Sequence, residues 1–563
     1  MSSKCTLQRR LVQSEPASFL RKALPNLSEL EIQLLASRGV KAAPTPVPTW
    51  LQTPLNDLIK GAERVFEAIK KKQFIVVVAD YDCDGATACV VMVAGLRAMG
   101  ASIGYVVPDR LVHGYGISPS VVDLARERYP KSRILITVDN GILGHAGISH
   151  AQVLGLDVVV TDHHLQGDTL PDAYAVINPS RLDDTSGLGK LAGVGVALWL
   201  VAAVKKRMTG EGLPTPPLNF LLPYVAIGTV ADMVGLDDSN RQLISAGMDR
   251  IRSGQAPVGI MALLKEAGTV AAYLTTQDIG FGIGPRINAA GRLASMDAGI
   301  ELLLEQDPLR ATKMARTLTD TNDERKRLQK AATEDATISV DFSITAEARS
   351  IVRGNTEWHP GIVGLVASRL KDAHNLPTFV FSLAGGYAKG SGRSIPGFHL
   401  KDAMEEIARR DPSILAKFGG HAMAAGATLT GVSALAEFAR HLEDIAQVKV
   451  TNEMMSNILF SDGAMPDLDL ASAARVLRHP WGQGFEAPAF DDTAKIDDVR
   501  PLGKDGLHWK IQAKIGDRTD KTTVVLFNQP EPTIGQEAHI YLQPGLNTWK
   551  DSTSVQWLGR ILA

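Results

Sequence analysis

Short apolar runs rich in Val and Ile recur through the first half of the chain and alternate with stretches of helical periodicity. The clearest are Phe74–Ala79, residues 134–138, residues 158–161 and residues 224–230. Between residues 56 and 304 this alternation predicts a parallel sheet with crossover helices. Each run ends in a polar cluster: Asp80-Tyr81-Asp82-Cys83-Asp84-Gly85, Asp139-Asn140-Gly141, Asp162-His163-His164 and Ala231-Asp232. Ligands of open α/β sheets bind beyond the carboxyl ends of the strands, so the four clusters should converge on one site. Residues 191–204, apolar between Lys190 and Lys205, are shorter than the ~20 residues a bilayer span requires. They predict a buried core helix.

The pattern then changes. Residues 306–340 are polar and helix-favouring, with a mixed-charge run at 323–327 that reads as a solvated helix face. Residues 341–445 return to α/β character. After residue 451 a helical stretch leads to strand-like runs at 495–500, His508–Ile515, Lys521–Phe527, 538–542 and 554–561. Turn signals at 503–506 and 528–530 separate them, which predicts a small antiparallel barrel of the OB-fold type. An amphipathic stretch at 27–35 precedes a Pro-rich segment at 43–54 and predicts a helical appendage on a linker. The expected fold class is α/β, in five parts: an appendage (1–45), a parallel-sheet domain (46–305), a connecting helix (306–340), a smaller α/β domain (341–450) and the barrel (451–563).

Composition narrows the class of protein. A length of 563 residues exceeds what one core supports, and 45% hydrophobic with 21% charged residues is an ordinary globular balance. The net charge of -2 excludes an overall basic surplus, so any surface for nucleic acid must be a local patch. Cys5, Cys83 and Cys89 form no disulfide framework and no zinc spacing, and residues 1–16 hold no apolar stretch of signal-peptide type. These features point to a reducing, cytoplasmic setting.

Alternate residues of an extended segment share a side, so Asp80, Asp82 and Asp84 project together. One Asp after a strand is usually a helix cap. Three carboxylates repel one another and call for a cation, for which Mn2+ or Mg2+ are the natural oxygen-liganded candidates. In the smaller domain, Ser391, Arg393 and His421 lie in the glycine-rich segments KGSGRS and GGHAMAAG and offer donors for phosphate oxygens.

The ordered set DYDCDG, TVDNG, TDHH and TVADMV resembles the four motifs of the DHH phosphoesterase superfamily. PDRLVHGYGIS, LAGVGVA, GFGIGPRINAAGR, WHPGIVGLVASRL, KGSGRS and GGHAMAAG together resemble the RecJ family of single-stranded-DNA exonucleases. The likeness covers nearly the whole chain. It implies a DHH catalytic domain, a substrate-binding domain joined to it by the long helix across a cleft that excludes duplex, and an OB-fold for nucleic acid. It implies a two-metal site built by Asp80, Asp82, Asp84, Asp139, His163 and Asp232, with Asp139 as the bridge. His164 would contact the scissile phosphate or assist the leaving group, although a neutral His can also be a ligand. Val78 stands where several superfamily members place a histidine, which leaves Asp80 to take over that ligand role. Cys83 stands where RecJ-like proteins commonly carry Ala and is expected to point away from the metal.

By the same resemblance Arg110, Arg286 and Arg292, with Ser391, Arg393 and His421, would grip the 5′-terminal phosphate and adjacent backbone. Trp509, Phe527, Tyr541, Trp549 and Trp557 would be mostly barrel core, with one or two at the surface to stack bases. The implied activity is metal-dependent 5′ to 3′ hydrolysis of single-stranded DNA in recombination and repair. The expected enzyme is a monomer away from membranes, with a helicase and a single-strand-binding protein as conceivable partners. Two other readings stay open: a phosphodiesterase acting on oligoribonucleotides or cyclic dinucleotides, and a non-catalytic nucleic-acid-binding relative.

Overall fold

The computed structural model describes residues 5–109, 112–343, 345, 347–503, 506–549 and 552–562. The chain divides into two compact units, one made of residues 10–321 and 462–561, the other of residues 1–9, 322–461 and 562–563.

The first unit is built on five parallel strands. Their spatial order is Ser102–Val106, Phe74–Ala79, Ser132–Val138, Asp157–Thr161 and Ala175–Ile177. In chain order this is 2-1-3-4-5, whose direction of progression reverses between the first and third strands. A doubly wound sheet opens a crevice at that reversal. Ile75, Val77 and Ala79 enter the core on one side of the sheet, while Val76 and Val78 enter that on the other. Burial on both faces explains why these strands read as continuous apolar runs.

The apolar segment around residue 200 forms the helix Gly193–Gly210, buried along most of its length. No described helix is long and apolar enough to cross a membrane. The expectation of a strand at 224–230 fails. Those residues lie in the helix Leu222–Asp232, which Pro223 opens and Met233 closes with a left-handed backbone at φ 62°. Its residues 223–229 are buried on every side, and a wholly buried helix has no polar face to distinguish it from a strand.

A closed barrel completes this unit, from strands Phe490–Pro501, His508–Ile515, Lys521–Phe527, Ser552–Ile561 and Glu537–Trp549 in spatial order. Only the contact between Lys521–Phe527 and Ser552–Ile561 is parallel, the closure of an OB-type barrel. Trp509 and Trp557 are core, Tyr541 is half-buried, and Phe527 is 47% exposed. The side chain of Trp549 lies outside the description.

In the second unit the sheet order is Leu415–Gly420, Ala424–Leu429, Ala388–Arg393, Thr378–Ser382 and Ile351–Asn355, and only the last pair is parallel. Phe379, Phe381 and Phe438 pack together in its core. The strand Asn457–Ser461 pairs in parallel with Cys5–Arg9 and stays out of the barrel. The 36-residue helix Pro308–Ser343 starts in the first unit and ends in the second.

Candidate metal centre

Register places the acids. Ala79 pairs with Val138 across the two strands that flank the sheet reversal, so Asp80 and Asp139 leave neighbouring strands at the same height. Asn140 ties these ends together by donating from Nδ2 to the carbonyls of Val78, at 3.1 Å, and Val138, at 2.9 Å. Asp139 itself has φ 61°, a conformation a non-glycine residue adopts at a cost and one that concentrates at functional sites. A Cβ on Gly193 would lie 2.8 Å from Asp139 Oδ1, so only glycine lets the helix Gly193–Gly210 begin there.

Asp82 caps the helix Cys83–Ala98, accepting from the amide of Gly85 at 3.0 Å. Asp84 points to the start of Gly193–Gly210, where its two oxygens accept from the amides of Gly193 at 2.6 Å and Val194 at 3.0 Å. Asp232 occupies the last turn of its helix, where the macrodipole disfavours a carboxylate. Cys83 is buried and belongs to none of the prospective ligand groups described below.

Three sets of side chains bring potential ligand atoms within 4.8 Å of one another: Asp80, Asp82 and Asp139; Asp84, His163 and Asp232; and Asp139, His163 and His164. Asp139 and His163 thus belong to two sets each. His163 Nε2 lies 3.1 Å from Asp139 Oδ1 and 3.6 Å from Asp232 Oδ2. Asp139 Oδ1 and His163 Nε2 are buried, and neither completes a hydrogen bond among the described residues.

Asp80, Asp84 and Asp139 are 4%, 1% and 2% exposed, too little for water to screen their repulsion. Burial pushes the carboxyls of Asp84, Asp139 and Asp232 above the usual range. Neighbouring carboxylates push in the same direction, against the amides of Val194 and Gly193 at Asp84 and against His163 and His164 at Asp232. Buried acids aimed at one point with orphaned donor atoms fit hard divalent cations, and the carboxylate and imidazole donor set suits them.

Asp162 was part of a motif in the sequence but had no assigned task. Its Oδ1 accepts from the amides of His163 at 2.7 Å and His164 at 3.1 Å and from His164 Nδ1 at 2.8 Å, while Oδ2 accepts from the amide of Ile142 at 2.9 Å. Burial alone would lower the pKa of His164, but the bond and charge of Asp162 outweigh it and raise the ring to about 9. Tyr115 was also missed. Its hydroxyl lies 3.2 Å from His164 Nε2 and donates to the Asp139 carbonyl at 3.3 Å.

The GFGIGPRINAAGR segment forms a wall behind the first motif. Asn288 Oδ1 accepts from the amide of Cys83 at 2.8 Å, and a Cβ on Gly291 would lie 2.0 Å from the Tyr81 carbonyl. Arg286, expected at a phosphate, donates to the carbonyls of Gly282 at 2.6 Å and Glu266 at 3.2 Å and to Thr319 Oγ1 at 3.1 Å. Arg292 sits half-buried on the same helix, Gly284–Leu293. Ser391 and Arg393 come together in the second unit, with Arg393 Nη1 3.3 Å from Ser391 Oγ. His421 is exposed in the turn beyond Leu415–Gly420. Arg110 lies outside the described residues.

Known proteins share this layout. Residues 74–229 match the DHH family, N-terminal domain, residues 346–448 the DHHA1 domain, and residues 463–560 the RecJ OB domain. The single-stranded-DNA-specific exonuclease RecJ of Salmonella typhimurium is 38% identical over 527 residues, 90% of each chain. RecJ of Thermus thermophilus, solved in complex with Mn2+, superposes with a TM-score of 0.80 at 26% identity, covering 99% of this chain and 78% of that one. Its Mg2+ complex gives 0.75 at 25% identity, covering 100% and 78%. Motifs, three matched regions and end-to-end similarity agree: the chain belongs to the RecJ family of DHH proteins.

Proposed function

We propose that this chain is a metal-dependent exonuclease that hydrolyses single-stranded DNA from the 5′ end. The observation that carries this reading is the convergence of Asp80, Asp82, Asp84, Asp139, His163 and Asp232 at the sheet reversal. Asp80, Asp82 and Asp139 would hold one Mn2+ or Mg2+ and Asp84, His163 and Asp232 the other, with the Asp139 carboxylate as the shared ligand. Bound there, the ions supply Lewis acidity and a water of lowered pKa.

The protein's own groups do the rest. Asp162 keeps the proton on His164 Nδ1 and so aims Nε2 at the reacting phosphate. In the second unit Ser391, Arg393 and His421 are the candidates to hold a 5′-terminal phosphate, and in the first Arg110, Arg286 and Arg292 are the candidates for backbone phosphates.

The outer face of the barrel supports a strand-binding role. Lys495 pairs with Lys514 and Lys514 with Lys521 across adjacent strands, and Arg500 pairs with Lys510. The exposed Phe527 meets His508 edge-on at the end of this face. Glu537, Asp498 and Asp497 offset Lys495, Arg500 and Lys521 in part, and a phosphate backbone would relieve the remaining like-charge cost of the row. We further read the enzyme as a cytoplasmic monomer acting in recombination and repair alongside a helicase and a single-strand-binding protein. A dinucleotide substrate needs no such track, and a non-catalytic relative needs no complete ligand set, so neither alternative is favoured.

The test is incubation with 5′- or 3′-labelled single strands, with Mn2+, Mg2+ or EDTA. Label leaving first from the 5′ end, only with metal, is the expected outcome. Early release from the 3′ end would refute the polarity, and full activity in EDTA would refute the metal.

A further inference from the structure

Tyr115 is half-exposed, yet its hydroxyl reaches into the metal centre. It lies 3.3 Å from the Asp139 carbonyl, 3.2 Å from His164 Nε2 and 3.3 Å from Nδ1, and its ring meets that of His164 edge-on with centroids 5.7 Å apart. On the other side Tyr81 packs edge-on against it at 6.2 Å. His164 is thus held by Asp162 at Nδ1, 2.8 Å away, and the Tyr115 hydroxyl sits nearly equidistant from its two ring nitrogens. One hydrogen bond fixes a point on an imidazole but leaves rotation about χ2 soft. A second polar contact removes that freedom.

We propose that Tyr115 is a positioning residue that acts through His164, its hydroxyl bracing the ring against the Asp139 main chain so that Nε2 addresses the reacting phosphate. This rests on the exonuclease reading above and adds to it a residue that neither ligates metal nor grips the strand. The brace spans three separate motifs, those of Tyr115, Asp139 and His164, and so couples the orientation of His164 to the loop that carries the shared carboxylate. Preorganised groups gain most at the transition state, so the loss of the brace should fall on kcat.

The test compares wild type with Tyr115→Phe, which removes one oxygen and keeps the ring contacts. On single-stranded DNA with Mn2+, kcat should fall about tenfold, the scale of one lost hydrogen bond in the transition state, with KM unchanged. Affinity for a 5′-phosphorylated strand in EDTA and the Mn2+ titration of the DNA-free protein should match wild type. In a His164→Ala background, where no ring remains to brace, Tyr115→Phe should change kcat by less than about twofold.

A raised KM or weakened DNA binding would make Tyr115 a substrate contact and overturn the proposal. Weakened Mn2+ binding would make it a support of Asp139 instead, and an undiminished tenfold effect without His164 would show that it does not act through the ring. Failure of wild type to cleave single strands at all would sink the exonuclease reading, which the wild-type arm reports separately.

Discussion

Two regions of the first unit bury acidic groups to a similar depth and treat them in opposite ways. Where the N-terminal helices meet the segment leading into the barrel, Asp462 receives a two-pronged bond from Arg38, at 2.8 and 2.9 Å, with side chains only 4% and 2% exposed. Glu31 accepts from Arg475 at 2.7 Å, His479 at 3.2 Å and Ser28 Oγ at 2.6 Å. Burial would raise the Glu31 carboxyl, but the bonds from His479 and Ser28 prevail and lower it to about 2. In the metal centre, by contrast, burial and neighbouring acids raise Asp84 and Asp139 together. A buried acid whose partners are built into the chain holds the fold together. A buried acid facing other acids stores repulsion that an external cation must relieve.

The largest way to test that contrast is Asp139→Ala. Activity on single-stranded DNA should fall by about three orders of magnitude or more, because a shared ligand is lost. The same variant in EDTA should melt no lower than wild type, since repulsion is relieved. Saturating Mn2+ should stabilise wild type by about 2.7 kcal/mol at a hundred times its Kd and the variant by less. A clear drop in metal-free stability would mean that Asp139 is structural like Asp462.

Arg38→Ala should do the reverse. Removing one partner of a buried pair costs about 3 to 5 kcal/mol by urea unfolding, while activity per folded molecule at low temperature and the Mn2+ stabilisation persist. Loss of activity without loss of stability would erase the distinction between the regions.

The smallest effect is on pH. Because the folded pKa of Glu31 lies below its ordinary value of 4.5, its contribution is complete above about pH 4.5 and fades as pH falls toward 2. Unfolding curves between pH 5 and 2.5 should therefore show a steeper stability loss for wild type than for Glu31→Gln. Parallel curves would remove Glu31 from the junction's stabilising network.

What was legible in the chain was local. Apolar runs ending at Asp80, Asp139 and Asp162 marked strand ends because a buried strand must switch to polar residues where it leaves the sheet. The barrel strands His508–Ile515 and Lys521–Phe527 were readable from alternation and turn residues, as these too depend on neighbours in sequence. Asp232 was found as a residue but on the wrong element, since a helix buried on all sides carries no periodic signal. Only the tertiary structure decided which distant groups meet: Asn457–Ser461 beside Cys5–Arg9, Arg38 on Asp462, Asn288 on Cys83, and Tyr115 against His164. It also decided that Trp509 and Trp557 fill the barrel while Phe527 faces outward. Those pairings depend on the packing of whole elements, which sets distances that no short stretch of sequence encodes. The alternate spacing of Asp80, Asp82 and Asp84 announced a cation site but not its layout: the chain turns into the helix Cys83–Ala98, so Asp84 does not project with the other two but joins His163 and Asp232, while Asp80 and Asp82 join Asp139.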